Sequence, residues 1–322
     1  MSNKEKTARK NILRESKQEA SGLTVKGYDF NQPLNYEKLL DSYATTGLQA
    51  SNLAKAIEII TKMRKQGAYI YLGYTSNMVS SGLRDIFRYL AEHKMIDVIV
   101  TTAGGIEEDI IKCLGEFKIG SFEASGCKLR DKGINRAGNI FIPNSRYCRF
   151  EDFIIPILKK YKDSTLTPSQ LIQILGKKIN NKESIYYWCQ KNNIPVFCPT
   201  ITDGSLGDMI YFFKSSNPNF KLDVTDDIVK INNSTIGKKK TGMIILGSGP
   251  IKHHICNANM FRNGADYAVY INSTPEFDGS DSGARPDEAV SWGKIAKHAE
   301  SVKVYGDASI LFPLIVAKCF KE

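Results

Sequence analysis

Residues 69–82 read YIYLGYTSNMVSSG, an apolar run followed by small hydroxyl and amide residues. The apolar part, Tyr69 to Leu72, predicts a buried strand, and the segment 82–94 that follows has the periodicity of an amphipathic helix. A strand that leads into a helix is the first half of a β-α-β unit. The same alternation recurs along the rest of the chain, which predicts a mostly parallel sheet with helices on both faces.

Seven apolar runs are predicted strands of this sheet: Tyr69 to Leu72, Val98 to Thr101, Asn139 to Ile142, Pro195 to Pro199, Met243 to Leu246, Tyr267 to Ile271 and Val302 to Tyr305. Helices are predicted at 82–94, 106–115, 206–214, 251–263 and 309–320, after two helices between Tyr36 and Lys65. The predicted fold class is therefore α/β, a doubly wound, Rossmann-like sheet with an N-terminal helical arm. Because no linker divides the body, we assign the arm to residues 1–30 and one α/β domain to 31–322.

The composition indicates an ordered protein with a basic surface. The 322 residues are 42% apolar and 24% charged, which excludes wholesale disorder. Lys and Arg number 44 against 34 Asp and Glu, so the formal charge is +10, which favours anionic partners. The basic runs in the first 20 residues and at Lys238–Lys240 lack interleaved aromatic residues for base stacking. Nucleic-acid binding is therefore not expected.

The cysteines and the apolar segments indicate a reduced, cytoplasmic protein. The seven cysteines include no C-x-x-C pair, and His253-His254-Ile255-Cys256 has no second cluster to complete a metal site. No metal is expected. The N-terminus lacks the apolar core of a secretory signal. The longest apolar stretch, Ile310 to Ala317, contains Pro313 and is too short to cross a bilayer, so no membrane contact is expected.

Four loops that follow predicted strands combine glycine with hydroxyl or acidic residues. They are 73–82, 102–109, 202–208 and 247–250. In an open parallel sheet, ligands bind outside the carboxyl ends of the strands, where helix N-termini offer N–H groups to phosphate. The four loops together favour a dinucleotide site, although Gly247-Ser248-Gly249 lacks the third glycine of the full motif. Helix capping and favourable dipole charge are the alternative explanations for these polar residues.

The segment 277–294, FDGSDSGARPDEAVSWGK, concentrates acidic residues in an otherwise basic chain. Its spacing does not match an EF-hand, although a site for a hard cation remains an alternative. The face of Trp292 attracts ammonium groups, which favours a pocket for an organic polycation. Lys294 follows directly, and a neutral lysine amine can attack a carbonyl or imine carbon. A surface helix that ends in an ordinary lysine is the other interpretation.

These segments resemble deoxyhypusine synthase. The resemblance runs from Leu23 to Phe320 and depends on long motifs at 75–82, 101–109, 202–208, 252–259 and 276–294. It implies an NAD-dependent enzyme that oxidises spermidine and transfers the aminobutyl group, as an imine on an enzyme lysine, to a lysine of eukaryotic translation initiation factor 5A. The product would be deoxyhypusine. Members of the family assemble as tetramers with sites at subunit interfaces, so a homotetramer is expected.

The resemblance also implies roles for individual residues. Lys294 would form the imine, and His253 would accept the proton that leaves the amine. NAD would contact Ser76, Asn77, Met78, Val79, Ser80, Thr102, Ala103, Gly104, Glu108, Asp203, Ser248, Ser273, Asp307 and Ala308. Spermidine would lie among Glu107, Glu108, Asp208, His253, Tyr270, Gly279, Ser280, Asp281, Glu288, Trp292 and Lys294. Ser248 and Ser273 depart from the residues usual in relatives, which puts cofactor affinity in question more than chemistry.

Two other functions are compatible with the same residues. Homospermidine synthase resembles this family and transfers the aminobutyl group to putrescine. A non-catalytic paralogue that only activates a synthase partner would be expected to lose the lysine or the pocket acids, and this chain keeps them.

Overall fold

The computed structural model describes residues 1–321. Its strands are Tyr69–Tyr74 (β1), Val98–Thr101 (β2), Lys118–Ile119 (β3), Ile134–Ala137 (β4), Ile140–Pro143 (β5), Thr165–Leu166 (β6), Val196–Phe197 (β7), Lys221–Leu222 (β8), Thr241–Leu246 (β9), Ala265–Asn272 (β10) and Ile295–Tyr305 (β11). Its helices are Asn3–Ile12 (α1), Tyr36–Thr46 (α2), Leu48–Lys65 (α3), Ser76–Ser80 (α4), Leu83–Glu92 (α5), Ala103–Leu114 (α6), Gly126–Asp131 (α7), Ser145–Lys159 (α8), Pro168–Ile179 (α9), Ile185–Asn192 (α10), Ser205–Ser216 (α11), Val224–Thr235 (α12), Pro250–Met260 (α13), Pro286–Ser291 (α14) and Ala308–Cys319 (α15).

The central sheet has six parallel strands in the order β11-β10-β9-β1-β2-β7. From β1 the chain adds β2 and then β7 on one side, and it then crosses back to add β9, β10 and β11 on the other. This is the doubly wound order, and its direction reverses between β1 and β9. The predicted α/β fold class is confirmed.

Side chains alternate between two apolar layers along each central strand. In β1, Ile70, Leu72 and Tyr74 belong to the larger core, while Tyr71 belongs to the core under α13. A strand that is buried on both faces is the mark of a parallel sheet covered by helices on each side.

One of the seven strands predicted for this sheet, Asn139 to Ile142, does not belong to it. Residues 140–143 form β5, which pairs antiparallel with β4 and β3 in a separate three-stranded sheet. The two residues between β4 and β5 are Gly138 and Asn139, and Gly138 has a φ of 59°. A glycine in the left-handed region closes a tight hairpin, so the chain turns back instead of crossing to the central sheet.

The predicted helices are confirmed as α2, α3, α5, α6, α11, α13 and α15, but several others between residues 126 and 235 were not predicted. One of these, α9, begins with a capping box in which Thr167 and Gln170 each bond the other's backbone, with Pro168 in the first turn. These residues are recognised start signals of a helix.

The N-terminal segment contains one helix, α1, which buries none of its residues. Ser2 and Glu5 form a capping box at its start. Among residues 1–321 no helix is both long and apolar enough to span a bilayer.

Candidate active site

The loops after β1, β9, β10 and β11 meet at one edge of the sheet. Gly247 leaves β9 with a φ of 84°, and a Cβ placed there would lie 2.7 Å from the hydroxyl of Thr75. The Gly247 N–H donates to the Ile271 carbonyl at 2.9 Å, and the Gly306 N–H donates to the Asn272 carbonyl at 3.0 Å. Four predicted cofactor residues follow these strands at their carboxyl ends, where a doubly wound sheet leaves a crevice beside the reversal of strand order: Ser76, Ser248, Ser273 and Asp307.

Helices α4 and α6 pack closely on one side of this crevice. A Cβ on Gly104 would lie 2.6 Å from the Cβ of Ser76, so glycine is needed for this approach. The buried Ser80 hydroxyl donates to Glu108. The pKa of Glu108 is raised to about 7, chiefly by burial; the hydrogen bond from Ser80 opposes this rise, and the nearby charge of Glu107 contributes to it. Within residues 1–321 the buried hydroxyl of Thr102 has no hydrogen-bond partner.

Acidic residues line the other side of α6. Glu107 is 5% exposed and accepts the Leu206 N–H at 2.5 Å, in the first turn of α11. Burial raises the pKa of this carboxyl, and the charges of Asp208 and Asp203 add to the rise. Gly204 leaves room for the Glu107 carboxylate, because a Cβ at position 204 would lie 2.8 Å from Glu107 Oε2. We call Glu107, Glu108, Asp203 and Asp208 the acidic crevice; a cation would relieve their mutual repulsion.

A second group of predicted residues lies around α13 and the loop after β10. His253 Nδ1 is 3.5 Å from Asp281 Oδ1, while the buried Asp281 Oδ2 has no hydrogen-bond partner within residues 1–321. The buried Lys252 holds this loop by donating to the carbonyls of Asp281 and, at 2.9 Å, Ala284. An unpartnered buried carboxylate oxygen is a costly feature that an ammonium ligand would satisfy.

Lys294 belongs to this second group. Its carbonyl accepts the Ala265 N–H at 3.0 Å, which places its backbone where β10 and β11 begin. Its side chain is 8% exposed, with Nζ 5.7 Å from the centroid of the Trp292 ring. Burial raises the pKa of the Cys256 thiol to about 11, and Lys294 is one of the cations that oppose this rise. The Cys256 Sγ lies 3.2 Å from the Tyr270 hydroxyl.

The predicted site residues thus form two groups within one chain. No hydrogen bond or ion pair of the described chain joins Glu107, Glu108 or Asp208 to His253 or Lys294. The remaining predicted residues distribute between the two groups. The crevice group includes four residues of α4 and α6: Asn77, Met78, Val79 and Ala103. It also includes Ala308, which follows Asp307, the N-cap of α15. The loop and helix that lead to Lys294 contain the other three: Gly279, Ser280 and Glu288.

Two supporting lysines were not predicted. Lys112 donates to the carbonyls of Val79, Ser80 and Ser81 at 2.8 to 3.0 Å, and so caps the C-terminus of α4. Lys252 lies in the first turn of α13, where a positive charge opposes the helix dipole. A lysine in the first turn of a predicted helix is therefore the sequence feature that could have pointed to a structural role for Lys252. The described residues contain no cluster of three or more His, Cys, Asp or Glu side chains suited to a metal.

Comparisons with known proteins agree on one family. The family model for deoxyhypusine synthase matches residues 38–319. Deoxyhypusine synthase from Senecio vernalis is 54% identical over 342 residues, which cover 96% of this chain and 92% of that protein. Homospermidine synthase 2 from the same species is 50% identical over 354 residues, covering 99% and 96%. A crystal structure from Entamoeba histolytica described as a deoxyhypusine synthase superposes with a TM-score of 0.68 at 38% identity, covering 92% of this chain and 96% of that one.

Proposed function

Because this chain belongs to the deoxyhypusine synthase family and is a transferase of that type, we propose that it makes deoxyhypusine from spermidine and a lysine of eukaryotic translation initiation factor 5A. The observation that carries the proposal is a buried lysine amine beside Trp292, grouped with a carboxylate oxygen that lacks a partner. An amine nucleophile and a cation site are the two features that aminobutyl transfer from a polyamine requires.

We propose NAD as the cofactor, held in the crevice between the loops after β1 and β9. Two observations support this fit: the unpartnered buried hydroxyl of Thr102, and the close approach of Gly104 to Ser76. The residues that would hold it are the predicted set: Ser76, Asn77, Met78, Val79, Ser80, Thr102, Ala103, Gly104, Glu108, Asp203, Ser248, Ser273, Asp307 and Ala308. When bound, NAD accepts a hydride and later returns it.

Spermidine would be held by the carboxylates and by the Trp292 face. One ammonium end of spermidine would bind the Asp281 oxygen that has no partner within residues 1–321. The other end would lie in the acidic crevice, beside Glu107. His253, oriented by Asp281, would accept the proton released when the amine carbon is oxidised. The Lys294 amine would then attack that carbon, release 1,3-diaminopropane and carry the aminobutyl group as an imine until the acceptor lysine displaces it.

We further propose a cytoplasmic homotetramer in which a site combines residues of neighbouring chains. Within the described residues of one chain, no hydrogen bond or ion pair joins the acidic crevice to Lys294, which supports shared sites. Exposed aromatic side chains near both groups also support assembly: Tyr211 and Phe212 follow Asp208 on α11, and Phe277 and Trp292 flank Asp281. Such exposed apolar residues are typical of protein contacts.

The decisive experiment supplies the purified protein with NAD, spermidine labelled in its aminobutyl group, and the acceptor factor. The wild type is expected to label the factor. Lys294→Arg, which keeps the charge but cannot form the imine, is expected to abolish labelling, whereas Lys177→Arg at an exposed position of α9 should not. Absence of labelling by the wild type would overturn the proposal.

Homospermidine synthesis is the second candidate, because the chain is 50% identical to a homospermidine synthase. Supplying putrescine in place of the factor tests it. Faster transfer to putrescine than to the factor would replace the first assignment. The retained lysine and acids argue against the third alternative, a non-catalytic activator, which would give no product with either acceptor.

A further inference from the structure

A cavity of about 500 Å³ opens where β10 and β11 begin, at the edge of the sheet opposite the cofactor crevice. Its shape comes from an irregularity in the pairing of these two strands. Ala265 pairs with Ile295 but Tyr267 pairs with Glu300, so a single residue of β10 lies opposite four residues of β11, 296–299. These four residues form a bulge within β11 and, with Lys240 and Tyr267, line the cavity.

The two acidic side chains in this cavity are already neutralised by other residues. Asp266 lies 2.9 Å from Arg262 Nη1 and accepts the Thr241 N–H at 2.9 Å. Glu300 lies 2.7 Å from Lys62 Nζ and 3.5 Å from Lys55 Nζ, and both of these lysines also contact Glu58. Each acid therefore has its own cation outside the cavity lining.

The basic side chains of the lining have no acidic partner in the described chain. Lys240 Nζ contacts only the Tyr267 hydroxyl, at 3.3 Å, and lies 5.4 Å from the centre of its ring. Lys297 and His298 lie in the bulge of β11 and are exposed. Arg262 holds the preceding basic run in place by donating to the carbonyls of Lys238 and Lys239, both at 3.3 Å. Two lysines thus face the cavity as an uncompensated positive pair, and His298 adds an imidazole ring beside them.

We propose that this cavity binds a small multivalent anion that carries phosphate or carboxylate groups. Ammonium and imidazole N–H groups form charge-assisted hydrogen bonds with such anions, and the volume lies in the range of small-molecule sites. Val290, Gly293 and Ile295 form the wall of the cavity. A bound anion would therefore contact the turn that presents Lys294, on the side away from the crevice.

Calorimetric titration of the purified protein at low ionic strength tests this site, with pyrophosphate and citrate as separate probes. We expect saturable binding of one anion per chain, weakened by added salt. A clear preference for pyrophosphate or for citrate would identify the phosphate or the carboxylate class. The titration contains no NAD, polyamine or acceptor, so its failure would leave the proposed activity untouched.

The double variant Lys240→Met/Lys297→Met removes two charges while keeping the aliphatic contacts. The dissociation constant of the anion is expected to rise about 100-fold, because each hydrogen bond to a charged group contributes roughly a factor of ten to affinity. The matched control is Lys239→Met, an exposed lysine of the same run that does not line the cavity; its affinity should stay within about twofold. His298→Gln, at an exposed position of β11, gives a second variant, which is expected to weaken binding less than the double variant because both lysines remain.

Three results would overturn the proposal. These are no saturable binding by the wild type, an equal loss in the Lys239→Met control, which would indicate diffuse attraction, or displacement of pyrophosphate by a short RNA at far lower concentration. The last result would instead identify a nucleic-acid surface.

Discussion

At the scale of single residues, Glu108 shows how burial changes the chemistry of a side chain in the crevice. Its pKa rises from the usual 4.5 to about 7, chiefly because the surrounding protein excludes water. Between about pH 4.5 and pH 7, the folded chain therefore keeps a proton on Glu108 that the unfolded chain has lost. The corresponding stabilisation is complete below about pH 4.5 and is lost as the pH rises through 7.

Glu108→Gln replaces the titratable carboxyl with an amide, whose oxygen can still accept the hydrogen bond from the Ser80 hydroxyl. At pH 8 the variant is expected to have a free energy of unfolding up to about 3 kcal/mol above the wild type, and the difference should vanish near pH 4.5. Urea unfolding of the ligand-free proteins at matched concentration over this pH range measures it. A difference that does not change with pH would show that Glu108 is already ionised in the fold.

Gly204 is the second residue whose identity the crevice requires. A Cβ at this position would come within 3.0 Å of both Glu107 carboxylate oxygens, so Gly204→Ala should displace that side chain from the α11 N–H groups. We expect KM for spermidine to rise about tenfold, since a charged hydrogen bond contributes about 1.5–3 kcal/mol. Gly126→Ala, where nothing lies within 4 Å of the new Cβ, is the control. Unchanged spermidine kinetics in Gly204→Ala would contradict a role for Glu107.

At the scale of elements, the short helix α4 depends on a lysine from its neighbour α6. Three consecutive carbonyls at its C-terminus accept hydrogen bonds from Lys112 Nζ. A helix of five residues has little stability of its own, so this cap and the packing of Gly104 on Ser76 determine where it lies.

Lys112→Met is expected to loosen α4 and to weaken NAD binding about tenfold, with a smaller change in kcat at saturating NAD. Quenching of protein fluorescence by NAD measures the affinity, and kinetics at saturating NAD separate the two effects. Lys118→Met provides the control, because among residues 1–321 the side chain of this exposed lysine pairs only with Glu116. Equal losses in kcat and NAD affinity would indicate a more direct role for Lys112 in the reaction.

At the scale of the whole molecule, no hydrogen bond or ion pair of the described chain joins the two groups of site residues. If sites form between chains, two inactive variants from different groups complement each other. Mixing Glu107→Gln with Lys294→Ala after dissociation and reassembly is expected to restore about a quarter of wild-type activity, because half of the random pairs contain one intact site out of two. Each variant reassembled alone is the control. No recovery in the mixture would place a complete site within each chain.

The sequence alone determined the fold class, the order of the main strands and helices, and the family. These depend on local patterns: the alternation of Ile70, Tyr71 and Leu72 on β1 has a period of two, and the motifs around Lys294 are continuous in the chain. Only the tertiary structure decided which segments pair. The strand at 140–143 is locally like the others, yet the Gly138 turn commits it to a hairpin. The roles of Lys112 and Lys252 likewise depend on carbonyls about 30 residues away in the chain, because side chains recognise partners by distance in space.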